Sequence, residues 1–401
     1  MVLGRIKCLL VAVFSVFSMV AIAQEKYPGS KHVETEDKAT MDKEGKKEFD
    51  ASEVIFGHVL DAHQFHFFSF KSKDGAEHHV TISLPVILYS PQRGLTAFSS
   101  ARFHHGEEEF KGYRLITPEY KEQLAKKGYG ENDIESLSNE SIVAVNEQGV
   151  PDKNVKVYDL SITRNVAQMI IALILLVWIM LAVAKKYNNG VGVNSAPTGF
   201  QNALEPVITF VRDDVAVPNL GRNYKKYMPY LLTVFFFILI NSLIGLIPGT
   251  ANVAGNIAFT FVLGVISFII ILMSSNKHYW GHIFNPPVPL GVKPIMIPVE
   301  ILGIFTKPVA LIIRLFANMV AGHIIIICLI SLIFIFGNLS AGVGWGFSPI
   351  SVAFTVFIYF IEILVAFLQA YIFTNLTAVF IGQAFEGSHN DPDHHEDAVI
   401  V

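Results

Sequence analysis

The sequence predicts an all-α polytopic membrane protein of about five membrane helices, the last two long and tilted, with a small β-rich exported domain at its N-terminus. Three observations lead there. Of 401 residues, 52% are hydrophobic and only 16% are charged, which is too apolar for an ordinary soluble domain. Apolar runs of membrane length recur from about residue 166 onward. The stretch before them, 24–160, is polar and holds eight of the 14 histidines. The net charge of −4 shows no basic excess, which argues against a nucleic-acid partner.

Taken in order, residues 1–23 read as a secretory signal peptide. Arg5 and Lys7 form a basic start, an apolar core follows, and Ala21-Ile22-Ala23 precedes Gln24 as a small-x-small cleavage site. Residues 24–52 are a Lys/Glu/Asp-rich leader with too few apolar groups to order themselves. Residues 53–160 read as a β-rich exported domain. Its strand-like segments are Glu53 to Leu60, Phe65 to Phe70 and His79 to Tyr89, rich in β-branched and aromatic residues and broken by turn signals such as Lys73-Asp74-Gly75. A helix is expected near Thr117 to Lys127. The two cysteines are Cys8, in the removable segment, and Cys328, at lipid depth, so no disulfide and no cysteine metal site is expected. The domain's histidines, His58, His63, His66, His78, His79, His104 and His105, match no metal-ligand spacing, and a solvated β-domain is the reading kept.

Residues 161–385 read as the membrane domain. Three units of about twenty residues, Val166 to Ala184, Met228 to Ile247 and Val253 to Met273, each suffice for one crossing. Pro248-Gly249 ends the second. Two longer runs follow, one from about Ile297 to Phe336 and one from Ile350 to Phe385, and these must tilt or bend. Gly199 to Val215 has apolar residues near helical spacing and suits the cytoplasmic membrane surface or a connecting helix. The loops 185–227 and 276–298 carry the basic residues, whereas those near Pro248 to Asn252 and Gly337 to Phe347 carry none. Basic loops stay in the cytoplasm. The N-terminal domain is then exported, in accord with the signal peptide, and the acidic tail 386–401 is cytoplasmic.

Few polar side chains interrupt the last two runs. They are Glu300, Arg314, Asn318, His323, Glu362, Gln369 and Asn375, with Lys307 close to an interface. Arg314 is the only fixed charge between Pro308 and Phe336. A guanidinium cannot shed its proton, and its cost at membrane depth requires that it face protein or a water-filled path. Arg314 and Asn318, four apart, share a helical face. Glu300, fourteen earlier, lies on nearly the same side if the helix continues past Gly303 and Pro308. His323, nine later, points away, while Glu362 and Gln369 are two turns apart on one face of the last helix. A fixed cation suits a gate, and a titratable His and Glu on adjacent helices suit a proton path. The carrier acid is expected on another subunit.

At these residues the chain resembles subunit a of the F-type ATP synthase membrane sector. The match lies in Lys307 to Gly322 (KPVALIIRLFANMVAG), Leu368 to Leu376 (LQAYIFTNL), Phe235 to Gly249 followed by Thr250-Ala251-Asn252, and the stretch DDVAVPNLG from Asp213. It covers roughly 160–385. The resemblance implies that Arg314 is the essential arginine facing a ring of c subunits. It makes Asn318 and Gln369 the polar neighbours of that arginine, Glu300 a supporting acid, and His323 and Glu362 access-channel residues. It also implies a b-subunit stalk and the rest of the ATP synthase as partners, a bacterial inner membrane location, no cofactor, and no chemistry of its own. The long exported domain departs from the family's short N-terminus. Two rivals remain on the residues alone. One is an unrelated ion or anion transporter using Arg314 to bind substrate. The other is a metalloenzyme using His278, His282, His389, His394 and His395, although Gly281, Pro286, Pro287 and Pro289 argue against a helix at the first pair.

Overall fold

The computed structural model describes residues 61–71, 77–190 and 199–385, apart from 107, 147, 153, 248–249, 286–288 and 290. The signal peptide, leader, Glu53 to Leu60 strand, Lys73-Asp74-Gly75 turn, Pro248-Gly249 stop and acidic tail expected from the sequence lie outside the described residues. By its internal contacts the chain divides into two units.

The first unit contains the N-terminal domain, built from short antiparallel sheets. Strands β1 (Gln64–Lys71) and β2 (Glu77–Ser83) pair with each other. Strand β3 (Pro85–Ser90) lies between β4 (Gly94–Ser99) and β7 (Tyr158–Asp159), and β5 (Tyr113–Leu115) pairs with β6 (Ile142–Ala144). The single strand expected over His79 to Tyr89 is therefore two. Pro85 has no N–H for a ladder and opens the second strand. Both backbone groups of Leu84 turn instead to Ser100, whose Oγ accepts from Leu84 N at 3.0 Å and whose N–H donates to the Leu84 carbonyl at 2.9 Å. Along β3, Val86, Leu88 and Ser90 alternate inward and meet Phe103, Tyr113, Leu115, Ile142 and Ala144. Helix α1 (Pro118–Lys126) matches the expected helix. Thr117 caps it by accepting from Tyr120 N–H at 3.2 Å, and Pro118 supplies a preset first turn. Its buried side chains Tyr120 and Leu124 pack with Ile116 and Val145. Helix α2 (Glu131–Glu135) is one short turn.

Among the described residues five helical stretches are long and apolar enough to cross a membrane. They begin with α3 (Arg164–Asn188) and with a second stretch made of α4 (Phe200–Phe210), a π-helical turn (Val211–Ala216), α5 (Val217–Leu220) and α6 (Tyr224–Gly245). Next come α7 (Ile257–Ser274), α9 (Lys293–Leu339) and α10 (Ala341–Phe385), with the short α8 (Lys277–Phe284) between α7 and α9.

The structure settles one open point about these helices and changes two expectations. First, α9 runs unbroken through Gly303 and Pro308 for 47 residues. Pro308 removes one intrahelical bond, and packing of the turns on either side, with Ile304, Leu311 and Ile312 buried, carries the helix through it. Second, the expected loop at Gly337 to Phe347 is folded into helix except for Ser340. Gly337 and Gly344 make that hairpin close, since a β-carbon on Gly344 would stand 2.7 Å from the Gly337 Cα. Third, Lys277–Phe284 is helical despite Gly281, because the proline cluster begins only beyond it. At about 1.5 Å per residue α9 is about 70 Å long, more than twice the apolar thickness of a bilayer, so it cannot cross upright.

In the second unit, α3, the π-helical turn, α6, α7, α9 and α10 share one core. Leu176, Val211, Val234, Phe235, Phe236, Ile238, Leu263, Leu311, Leu315, Ala370 and Phe373 are all buried in it. Lipid gives no hydrophobic drive for helix pairing, so close packing and polar contacts carry the association. Gly264 provides a close approach: a β-carbon there would strike the Ile312 side chain. Tyr230 OH and Ser267 Oγ, 2.8 Å apart, bond across α6 and α7.

Candidate functional site

Because α9 is continuous, its charges fall into register. Lys293, Glu300, Lys307 and Arg314 follow at seven-residue steps, and each step returns to within about 20° of the same face. The charged stripe ends at Arg314, since the next step is Ala321. Lys293 Nζ donates to Asn285 Oδ1 at 2.5 Å. Lys307 Nζ donates to Gln383 Oε1 at 3.0 Å and stands 4.9 Å from the centre of the Phe380 ring on α10.

Arg314 and Asn318 are both exposed on the surface of the chain, one turn apart, as helical spacing predicts. Among the described residues no carboxylate of this chain lies within ion-pair distance of Arg314. Its backbone is fastened from behind: Gln369 Nε2, on α10 and buried, donates to the Arg314 carbonyl at 3.3 Å. Gln369 thus holds the helix that carries the arginine and leaves the guanidinium free. Glu300 is half-buried on the same stripe, fourteen residues earlier.

In the first unit, the α10 segment up to Ile363 packs on α9 from Met319 onward. Glu362 is 7% exposed, and it is seated at Gly322, where a β-carbon would collide with its Oε1. Glu362 therefore meets α9 at Gly322, the residue before His323 in the chain. Further along, Ser351 Oγ donates to the Leu329 carbonyl.

Several contributors were not singled out in the sequence. Gly322 is the notch for Glu362; the signal was a glycine inside an apolar helix, facing an acid. Gln168, an amide in the first membrane helix, accepts from Ala251 N–H at 2.7 Å, and Asn252 Nδ2 donates to the Met319 carbonyl at 3.4 Å. The Thr250-Ala251-Asn252 loop is thereby tied to α3 and α9. Asn219, within DDVAVPNLG, donates to the Val215 carbonyl at 2.8 Å and to Asn375 Oδ1 at 3.0 Å, so two separate motifs meet. Of the domain histidines, His63 pairs with Asp159 at 2.7 Å, and the exposed His104 stands 3.7 Å from Glu108. His58 and the side chains of His66, His78, His79 and His105 lie outside the described residues, as do His389, His394 and His395 and the His282 side chain. Among the described residues no three His, Cys, Asp or Glu side chains gather as metal ligands.

The family model for the ATP synthase A chain matches residues 166–382, and a separate family described as a domain of unknown function (DUF8433) matches residues 54–160. ATP synthase subunit a of Chloroherpeton thalassium is 46% identical over 250 residues, covering 61% of this chain and 73% of that protein. ATP synthase subunit a 2 of Chlorobaculum tepidum is 44% identical over 257 residues, covering 63% and 71%. ATP synthase subunit a of Myxococcus xanthus is 39% identical over 246 residues, covering 60% and 78%. With its site residues inside the matched region and relatives matched over most of their own length, this multi-pass membrane protein belongs to the ATP synthase A chain family.

Proposed function

We propose that the chain is the proton-translocating stator subunit of an F-type ATP synthase, placed against a ring of c subunits and held by a b-subunit stalk. It is non-catalytic itself; ATP chemistry belongs to other subunits of the complex. The observation that carries this reading is the exposed guanidinium of Arg314, beside Asn318, with no acid of its own chain within ion-pair distance among the described residues. An apolar helix tolerates such a cation when a partner supplies the countercharge.

In this scheme a rotor carboxylic acid takes up a proton from one half-channel and turns through lipid while neutral. On reaching Arg314 it gives its proton to the other half-channel, because the nearby cation favours the ionised acid. Arg314 also blocks direct leakage, since a hopping proton would meet a fixed positive charge. His323 and Glu362 line the access path on one side. Glu300, on the stripe below Arg314, serves the other, with Lys307 held against Gln383. Gln369 positions Arg314 through its backbone, and Asn318 flanks it.

The orientation follows from the basic loops. The N-terminal domain, behind a cleaved signal peptide, is exported. The tail 386–401 is cytoplasmic, and the membrane is the bacterial inner membrane. Purification tests this directly. A stable complex with a small oligomeric two-helix proteolipid is expected. Ion transport by the purified chain alone, reconstituted without partners, would favour an unrelated transporter instead.

A further inference from the structure

The junction of the N-terminal domain with α3 holds five ionisable side chains that the proton path does not use. The segment Asp61 to His63 crosses the first turn of α3. Arg164 N–H donates to the Ala62 carbonyl at 2.8 Å, and Asn165 N–H donates to Asp61 Oδ1 at 3.2 Å. The same carboxylate oxygen accepts Ala62 N–H at 3.0 Å. An acid in this place also faces the positive end of the helix dipole. The next residue, His63, is only 5% exposed, and its Nε2 lies 2.7 Å from Asp159 Oδ2 on β7. Asp159 is itself held by Ser161, whose N–H donates to Oδ1 at 2.9 Å. One imidazole thus links the last strand of the domain to the segment that binds the head of the first membrane helix.

The charges around it nearly cancel. Asp61, Glu140 and Asp159 are the acids, and His63 and Arg164 the bases. Burial keeps the proton on Glu140 more firmly than usual, although His63 and Arg164 pull the other way. Loss of the His63 proton leaves Arg164 as the one base facing these acids in a buried place, which is costly. Among the described residues His63 Nδ1 has no hydrogen-bond partner, and the ring's hydrogen bond is the one to Asp159.

We propose that the N-terminal domain is a pH-sensitive brace: with His63 charged an ion pair fastens the segment at the head of α3 to β7, and with His63 neutral only an uncharged hydrogen bond remains and the hold is weaker. The direction follows from proton linkage. Burial lowers the affinity of His63 for its proton, but the hydrogen bond to Asp159 and the charges of Asp159, Asp61 and Glu140 outweigh it, and the pKa ends above the ordinary histidine value. A pKa raised in the folded state adds stability that is fully present below the unfolded value and is lost as pH rises through the folded one. The brace holds most firmly below the ordinary histidine value and loosens as pH rises through the raised one. It stands apart from the reading of Arg314. If the domain is exported as proposed above, it responds to the pH of that compartment.

Hydrogen–deuterium exchange on the full chain in its assembled complex, in lipid nanodiscs, tests the brace. Uptake by the peptide containing Arg164 and Asn165 is compared at about pH 6 and about pH 9, corrected for the intrinsic rate. Protection is expected to be several-fold lower at the higher pH, the direction that proton linkage gives. His63→Gln, which retains a donor but does not titrate, should remove that difference. Equal protection of the wild-type protein at both pH values overturns the proposal, as does a pH effect that survives in His63→Gln. The wild-type comparison needs no variant, so poor folding of His63→Gln leaves the test intact.

Discussion

Gly322 on α9 and Glu362 on α10 compete for one small volume: a β-carbon on the glycine would overlap Oε1 of the carboxylate and stand 2.8 Å from its Cδ. The buried acid has its position because the facing residue has no side chain. Gly322→Val should therefore displace Glu362 and slow ATP-driven proton pumping by roughly tenfold or more, since small misplacements of a reacting group are costly. The complex should still assemble. Normal pumping by this variant would mean that the seat of Glu362 has no part in translocation.

Glu362 and Gln369 are both buried on one face of α10, but they are expected to differ in kind. Glu362→Gln removes the group proposed to accept and release protons. Gln369→Ala removes one hydrogen bond to the Arg314 backbone, worth about 1 kcal/mol net. Pumping in inverted membranes should be slower in Glu362→Gln than in Gln369→Ala. Equal rates would leave Glu362 with a structural role only.

The close approach of α7 to α9 rests on Gly264, where an added side chain meets Ile312 with its Cδ1 at 2.7 Å. Gly264→Leu should destabilise the membrane region by about 1–3 kcal/mol, the usual cost of overpacking. A lower Tm of the purified complex reports it. An unchanged Tm would mean that the helices separate there without loss.

Acid should affect the N-terminal domain late. Burial raises the pKa of Asp159, but the hydrogen bond from His63, the charge of His63 and the bonds from Ser161 outweigh it and hold the carboxyl below its ordinary value. A pKa depressed in the folded state adds stability that is present above the unfolded value and is lost as pH falls through the folded one. The domain should thus hold its structure until pH drops below the ordinary carboxylate range, and Asp159→Asn should weaken it at neutral pH. Circular dichroism of the complex during acid titration, with the variant in parallel, checks both. Loss of domain structure well above that range would contradict the assignment.

Much of the membrane region was legible because lipid imposes long apolar runs, and length alone located the crossings. The face shared by Arg314 and Asn318 followed from a four-residue step. What spacing does not encode is continuity and contact. Pro308 suggested a break, but a missing N–H does not end a helix whose other neighbours pack well, and the charged stripe from Lys293 to Arg314 emerged only once α9 proved unbroken. The turn around Ser340 was hidden because its glycines, read as loop, serve close helix packing. Gly322, Gln168 and Asn219 act through partners distant in sequence, which a single chain read linearly does not reveal.

The central claim is that an unpaired cation at Arg314 gates protons carried by a partner's acid. ATP-driven proton pumping by membranes bearing Arg314→Ala in a fully assembled complex tests it most directly. The account predicts that coupled pumping is abolished while assembly is largely intact. Near-normal pumping by that variant would contradict it.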